Sequence, residues 1–250
     1  PNPTMQASLQ YEIDRAVAPN PLTLADFTRK GIELLQNPNG FFLMVEGGMI
    51  DWACHANDAA AAVQETIAFD RAINVAVEFA ERHPGETLIV ITADHETGGL
   101  TLGHGQTPYL NDYSLLDRQK LSFQKFSAEV KKRKRSGLSF AEACKLVETN
   151  YGLDYGKLTT AEQAALKQAW EVSTQKRTLP EAEADELYGG HEPITVAANR
   201  IFAAKAGLGW STYAHTALPV LTAAIGVNSE KFTGRYDNTA IARLLREMLQ

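Results

Sequence analysis

Five residues with metal-binding chemistry fall in two short blocks of the sequence. Residues 41–58 read FFLMVEGGMIDWACHAND, an apolar run that ends in Glu46, then two glycines, then Asp51 and His55 four residues apart. Residues 88–99 read LIVITADHETGG, a second apolar run that leads into Asp94 and His95. Residues at i and i+4 share one helix face, so Asp51 and His55 can address one ion together. Carboxylate oxygen and neutral imidazole nitrogen, without thiolate, suit Zn²⁺ in a catalytic rather than a structural site. Taken singly, each group has a structural alternative: Asp51 as a helix cap, His55 packed on a first turn, Asp94-His95 as a surface turn. The elements that carry them argue for the joint reading.

The run 41–46 reads as a buried strand, and DAAAAVQETIAFDRAINVAVEFAER (58–82) as one long amphipathic helix that His83-Pro84-Gly85 ends. A β-branched run at 87–94 follows, too apolar for an edge strand. Strand, helix and strand in that order predict a βαβ unit with parallel strands and a right-handed crossover. Both strands then end at the same rim of the sheet, where open α/β folds bind ligands. On this reading Asp51 and His55 open the long helix, and the two acid-plus-histidine blocks meet at one edge. Upstream, TLADFTRKGIELLQ (23–36) has helical spacing behind Thr23, a candidate N-cap, and Asn37-Pro38-Asn39-Gly40 stops it.

A chain of 250 residues with 44% hydrophobic residues can bury a sizeable core as one large domain or two small ones. The formal charge of −6 argues against nucleic-acid binding, which usually needs a basic excess. The basic run Lys131–Arg135 reads as a solvated helix face in this acidic context. No apolar stretch reaches the roughly 18 residues of a membrane span. The chain opens on Pro1 without a signal peptide, which reads as an internal or processed start and leaves the compartment open. Cys54 and Cys144 form no metal-type or disulfide-dense pattern, and Cys54 reads as a small buried hydrophobe.

The remaining histidines have mostly structural readings. His83 suits the dipole at a helix C-terminus, His191 a helix-start loop, and His104 a glycine-flanked turn, with a place on the site rim as its functional alternative. Between 106 and 190 the patterns SFQKFSAEVKKRKRSG, SFAEACKLVETN and TTAEQAALKQAWEVSTQ are helical, with Gly137 and Gly152 as breaks and a capping box at Thr159 or Thr160. This segment reads as a helical insertion, either filler over one face or a lid that selects substrates. The alanine-rich stretches at 59–62 and 202–206 read as ordinary helix formers.

These blocks carry a family resemblance. GFFLMVEGGMIDWACHAND and LIVITADHETGG resemble the glutamate-aspartate-histidine and Asp-His blocks of bacterial alkaline phosphatases. AHTALPVLTAAIG (214–226) resembles the segment with that family's last histidine, here His215, and FTGRYDNTAIARLL (232–245) its closing strand and helix. The likeness is strong over about 20–104 and 211–245 and weak between. It implies an α/β, three-layer alkaline-phosphatase-like fold with a mostly parallel sheet, present in part, with residues 1–250 as the C-terminal part of a single domain that contains the insertion.

Carried over by position, the resemblance implies that Asp51, His55 and His215 hold one Zn²⁺, that Asp94 and His95 belong to a second Zn²⁺ site, and that Glu46 is a ligand of Mg²⁺. The implied reaction is hydrolysis of phosphate monoesters through a covalent phospho-enzyme. No Asp-Ser or Asp-Thr nucleophile motif occurs in the 45 residues before Glu46, and PNPTMQASLQYEIDRAVAP resembles the middle of a family member. The expectation is therefore a C-terminal portion that is inactive alone, from a periplasmic or secreted parent that a homodimer would suit. A related two-metal phosphodiesterase or sulfatase-like hydrolase, and a non-catalytic metal-binding fragment, are the alternatives.

Overall fold

The computed structural model describes residues 10–17, 22–105, 107 and 111–249. The stretch likened above to the middle of a family member lies largely outside them, as do residues 106 and 108–110 at the start of the proposed insertion. In chain order the helices are α1 (Leu24–Leu35), α2 (Gly48–His55), α3 (Ala59–Arg82), α4 (Phe123–Lys134), α5 (Phe140–Tyr151), α6 (Thr160–Ser173), α7 (Glu181–Tyr188), α8 (Pro193–Ala206) and α9 (Thr239–Met248). The strands are short: β1 (Leu88–Ile91), β2 (Glu96–Thr97), β3 (Thr101–Leu102), β4 (Leu208–Gly209), β5 (His215–Thr216) and β6 (Ala223–Gly226). Two compact units result, one of residues 1–21, 47–67 and 97–214, the other of 22–46, 68–96 and 215–250.

In the first unit α8 is the buried centre. Its face is apolar nearly all round, with Ile194, Val196, Ala198, Phe202, Ala203 and Ala206 almost fully inaccessible, and α4, α5, α6 and α7 pack around it. Ala59 to Ala62 are buried too, so the alanines act as close-packing residues in addition to being helix formers. The surrounding helices start where the sequence says. Ser139 and Thr159 form capping boxes with Glu142 and Glu162, Ser122 caps α4, and Gly152 ends α5 in the left-handed region at φ 71°. Glu192 caps α8, and β3 pairs with β4 antiparallel.

In the second unit α1 begins at a Thr23–Asp26 capping box, as expected. Asn37 ends it by donating to the Leu35 and Gly40 carbonyls. The sheet departs from expectation. β1 pairs with β6, antiparallel, with Leu88 opposite Gly226 and Ile91 opposite Ala223. Residues 41–47 carry no regular secondary structure, so the parallel βαβ pairing is absent among the described residues. Their burial still alternates residue by residue, with Phe42 and Met44 exposed and Phe41, Leu43 and Val45 half-buried. The unbroken apolar run predicts a buried strand, but none of these residues is buried; a ladder also needs a partner, and hydropathy does not supply one. β1 is likewise only half-buried, which corrects its reading as a strand too apolar for an edge. Of the closing strand and helix expected within 232–245 only the helix, α9, is present; residues 233–238 form no strand, and the nearest one, β6, precedes the segment.

The long helix at 58–82 is present as α3, with Asp58 accepting from the Ala61 amide at its start. Asp51 and His55 do not open it, however. They sit on their own short helix, because Asn57 takes the left-handed conformation at φ 51° and separates α2 from α3. No helix among the described residues is long and apolar enough to cross a membrane.

Acidic side chains are buried where residues 10–17 join the first unit. Asp14 accepts from the Ser122 amide and hydroxyl at 2.8 and 2.7 Å, and Glu65 accepts from the Glu12 amide at 2.5 Å. Burial pushes Glu65 up to about 7, with Glu12 and Asp14 adding to the effect and the Glu12 amide and Arg15 opposing it; burial pushes Asp58 up to about 6. Between its ordinary value and 7, Glu65 keeps its proton in the folded state and loses it on unfolding, so stability falls as pH rises across that interval. All three tryptophans, Trp52, Trp170 and Trp210, belong to this unit and report its unfolding. We expect the urea midpoint read by tryptophan fluorescence to fall from about pH 4.5 to about pH 7 and then level off. Glu65→Gln, which retains an acceptor for the Glu12 amide, should reduce that slope; a midpoint that rises over the interval contradicts the assignment.

Candidate metal centre

In the first unit, Asp51 and His55 project from the same side of α2. Asp51 Oδ2 and His55 Nε2 are 3.4 Å apart, with both side chains about one-third exposed. Their remaining polar atoms are engaged by the protein. Thr97 Oγ1 donates to Asp51 Oδ1 at 2.5 Å, and His55 Nδ1 meets the Tyr213 carbonyl. A carbonyl only accepts, so Nδ1 carries a proton, and Nε2 is the ring nitrogen that faces Asp51 Oδ2. Two ligands of a tetrahedral ion, each bound at about 2.0–2.1 Å, stand about 3.3–3.4 Å apart, and the observed pair fits that edge. The donor set therefore suits zinc.

Tyr213 is itself held in place. Its hydroxyl donates to the Leu187 carbonyl at 2.5 Å, and the Arg200 guanidinium lies 4.5 Å from its ring centroid. Burial pushes the phenol up to about 12, Arg200 opposing and Tyr188 adding. Gly189, at φ 56°, admits the ring, since a Cβ there would stand 2.4 Å from Tyr213 Cγ. Asn57, fully buried, donates from Nδ2 to the Cys54 and Thr212 carbonyls at 3.1 and 3.0 Å, while its Oδ1 accepts from Arg200 Nε at 3.0 Å. His191 stands just before the α8 cap, in the helix-start loop expected for it. Its ring meets Phe123 edge-on, and burial holds its pKa below the usual imidazole value, against the effect of the His55 backbone.

The second unit holds the other two histidines expected as ligands, His95 and His215. The His95 and His215 rings stack with centroids 3.4 Å apart and planes 17° from parallel. His95 Nε2 is 3.2 Å from Asp94 Oδ2, on a carboxylate that is 85% exposed. The Thr216 hydroxyl, one residue beyond His215, donates to the Glu96 carboxylate. Glu46 is exposed at the end of the 41–46 run.

The other candidates resolve as structural. His104 Nε2 lies 3.2 Å from the Ala204 carbonyl. His83 ends α3 stacked on Phe79, centroids 4.3 Å apart. Cys54 packs against the first unit's core, and neither cysteine forms a disulfide. Residue types alone did not single out Thr97, Asn57, Arg200 and Tyr213. The available signal was position: Asn57 follows His55 by two residues, Thr97 follows His95 by two, and Tyr213 precedes His215 by two.

Comparison with known proteins bears on the family of this chain. Alkaline phosphatase 4 of Bacillus subtilis (strain 168) is 33% identical over 229 residues, which cover 91% of this chain and 44% of that protein. The crystal structure of a cold-active alkaline phosphatase from the psychrophile Shewanella sp. superposes with a TM-score of 0.72 at 30% identity, covering 97% of this chain and 53% of that one. For the Thermus thermophilus alkaline phosphatase the TM-score is 0.73 at 26% identity, over 96% and 50%. The chain spans about half the length of these relatives. The family model described as alkaline phosphatase matches residues 5–250, and with nearly the whole length so accounted for, the chain belongs to the alkaline phosphatase family.

Proposed function

We propose that this chain supplies metal ligands to a metal-dependent phosphomonoesterase that works through a covalent phospho-enzyme, with the nucleophile carried by residues outside the chain. One observation carries the reading: Asp51 and His55 each have one polar atom engaged by the protein and the other turned toward its neighbour at 3.4 Å, the spacing of two zinc ligands. By family resemblance, Asp51, His55 and His215 hold one zinc ion, Asp94 and His95 contribute to a second, and Glu46 contributes to a magnesium site. Bound metal would supply Lewis-acid stabilisation of the phosphoryl, attacking and leaving oxygens. This chain's part is to orient the donors: Thr97 holds the Asp51 carboxylate, and the Tyr213 carbonyl holds the proton on Nδ1 of His55.

The same reading places residues 41–46 in a mostly parallel sheet of a three-layer fold in the whole protein, which the unbroken apolar run Phe41–Val45 suits. Residues 106–190 are then a helical insertion in a single phosphatase domain. A periplasmic or secreted location and a homodimeric state belong to the reading by resemblance alone.

Two outcomes follow. Calorimetric titration of the chain with Zn²⁺ should show one site tighter than any other, weakened about 100-fold or more by Asp51→Ala or His55→Ala and less by Asp94→Ala, since losing a direct ligand costs more than the 10–100-fold typical of its supports. A tight site that depends on Asp94 and ignores Asp51 would overturn the ligand assignment. The 250-residue chain should not turn over an aryl phosphate, whereas the protein that includes the nucleophile region should do so in a chelator-sensitive manner; measurable turnover by the chain alone would show that its nucleophile is within these residues.

A further inference from the structure

The two hydrogen bonds from Asn57 have a common geometry. One ends on the carbonyl of Cys54, the residue before His55; the other ends on the carbonyl of Thr212, the residue before Tyr213. A single amide thus ties together the two chain segments that make the His55–Tyr213 hydrogen bond, at the position next to each partner. Arg200 completes the arrangement. By donating from Nε to Asn57 Oδ1, it fixes which end of the amide is the oxygen, so the NH₂ group must face the two carbonyls. The same guanidinium covers the Tyr213 ring, so one side chain from α8 braces both Asn57 and Tyr213.

We infer that Asn57, oriented by Arg200, is a positioning residue that fixes the ring orientation and tautomer of His55. The inference rests on the reading of His55 as a zinc ligand only for its consequence, metal affinity; the clamp itself is a matter of the protein's own hydrogen bonds. A competing account exists. Asn57 occupies the left-handed region, where asparagine is tolerated better than most residues, and that alone could explain its presence between α2 and α3. The two accounts separate at glycine, which suits φ 51° at least as well as asparagine but has no amide.

The test uses the 250-residue chain, with wild type, Asn57→Gly, Arg200→Met and His55→Ala compared. Nitrogen-15 correlation spectra of the imidazoles in zinc-free protein report the tautomer of His55, whose signals the His55→Ala spectrum identifies. Competition of the protein with a chromophoric chelator reports affinity for Zn²⁺. Wild type should show His55 protonated on Nδ1. Asn57→Gly should show a mixture of tautomers and about 10–100-fold weaker zinc binding, the range for loss of a support to a metal ligand. Arg200→Met keeps apolar cover over Tyr213 but removes the donor, and should move both readouts in the same direction by a smaller amount. This second variant leaves the α2–α3 turn untouched, so it decides the question if the glycine variant does not fold.

If the variants that fold keep the wild-type tautomer and bind zinc within about twofold of wild type, the clamp is overturned and Asn57 serves backbone conformation alone. If His55→Ala binds zinc as wild type does, the ligand reading of His55 fails, and the tautomer spectra still judge the clamp by themselves.

Discussion

The hydrogen bond from the His55 imidazole to the Tyr213 carbonyl is the constraint on which the first unit's donor pair depends. It joins residues 158 positions apart and decides which ring nitrogen is left for a ligand. A backbone carbonyl is a dependable acceptor only if its own residue cannot shift. Tyr213 is held by its hydroxyl on Leu187, by its ring against Gly189 and by the guanidinium of Arg200. These contacts come from α7, from its C-terminal turn and from α8. α7, inside the segment read from sequence as filler or lid, and α8, which follows that segment, therefore set the carbonyl that sets the imidazole.

That role needs a rigid interior, and the packing around α8 supplies one. Small residues allow close approach: Ala198, Ala203 and Ala206 are buried on α8, and Ala59 to Ala62 are buried at the start of α3. Several polar groups enclosed by this packing are matched to one another. Tyr151 donates to Asn199 Oδ1 at 2.7 Å, and Asn199 Nδ2 donates to the Ala56 carbonyl at 2.9 Å. This chain of bonds runs from α5 through α8 to the turn that separates α2 from α3. A misplaced link would leave a buried polar group without a partner, at about 1–3 kcal/mol, so the network favours one arrangement of that turn.

Much of this was legible from local sequence, and what was not has an identifiable reason. Caps, helix periods and glycine stops depend on residues within about four positions of one another, and α1, α3, α4, α5 and α6 stand where their patterns put them. Asp51 and His55 share a helix face as their spacing implies, but the break at Asn57 was missed, because a single left-handed asparagine leaves the hydrophobic period on either side intact. The sheet was misjudged for a different reason. An unbroken apolar run reports residues suited to a strand, but the partner of a strand is a non-local fact. β1 finds its partner in β6, more than 130 positions away. Tyr213 was invisible to motif reasoning because its contribution is a backbone carbonyl, which every residue has.

The ligand candidates stand on scaffolds of unequal strength. Asp51 and His55 are carried by the unit with the large apolar core, where α2 buries Met49 and Ala53. Asp94, His95 and His215 belong to the unit that contains the four-residue strands β1 and β6, and two-stranded ladders are marginal on their own in water. That unit also leaves large apolar side chains exposed, among them Leu221 at 91%, Met44 at 69%, Leu218 at 62% and Phe42 at 56%. Each apolar side chain left in water forgoes about 1.5–3 kcal/mol of the stabilisation that full burial would give. Local opening follows local stability, so a short two-stranded ladder opens more readily than a packed helix such as α2. A donor pair fixed on a packed helix loses little freedom when it takes up an ion, whereas imidazoles on a thin ladder must be ordered as they bind, and that ordering cost comes out of their affinity.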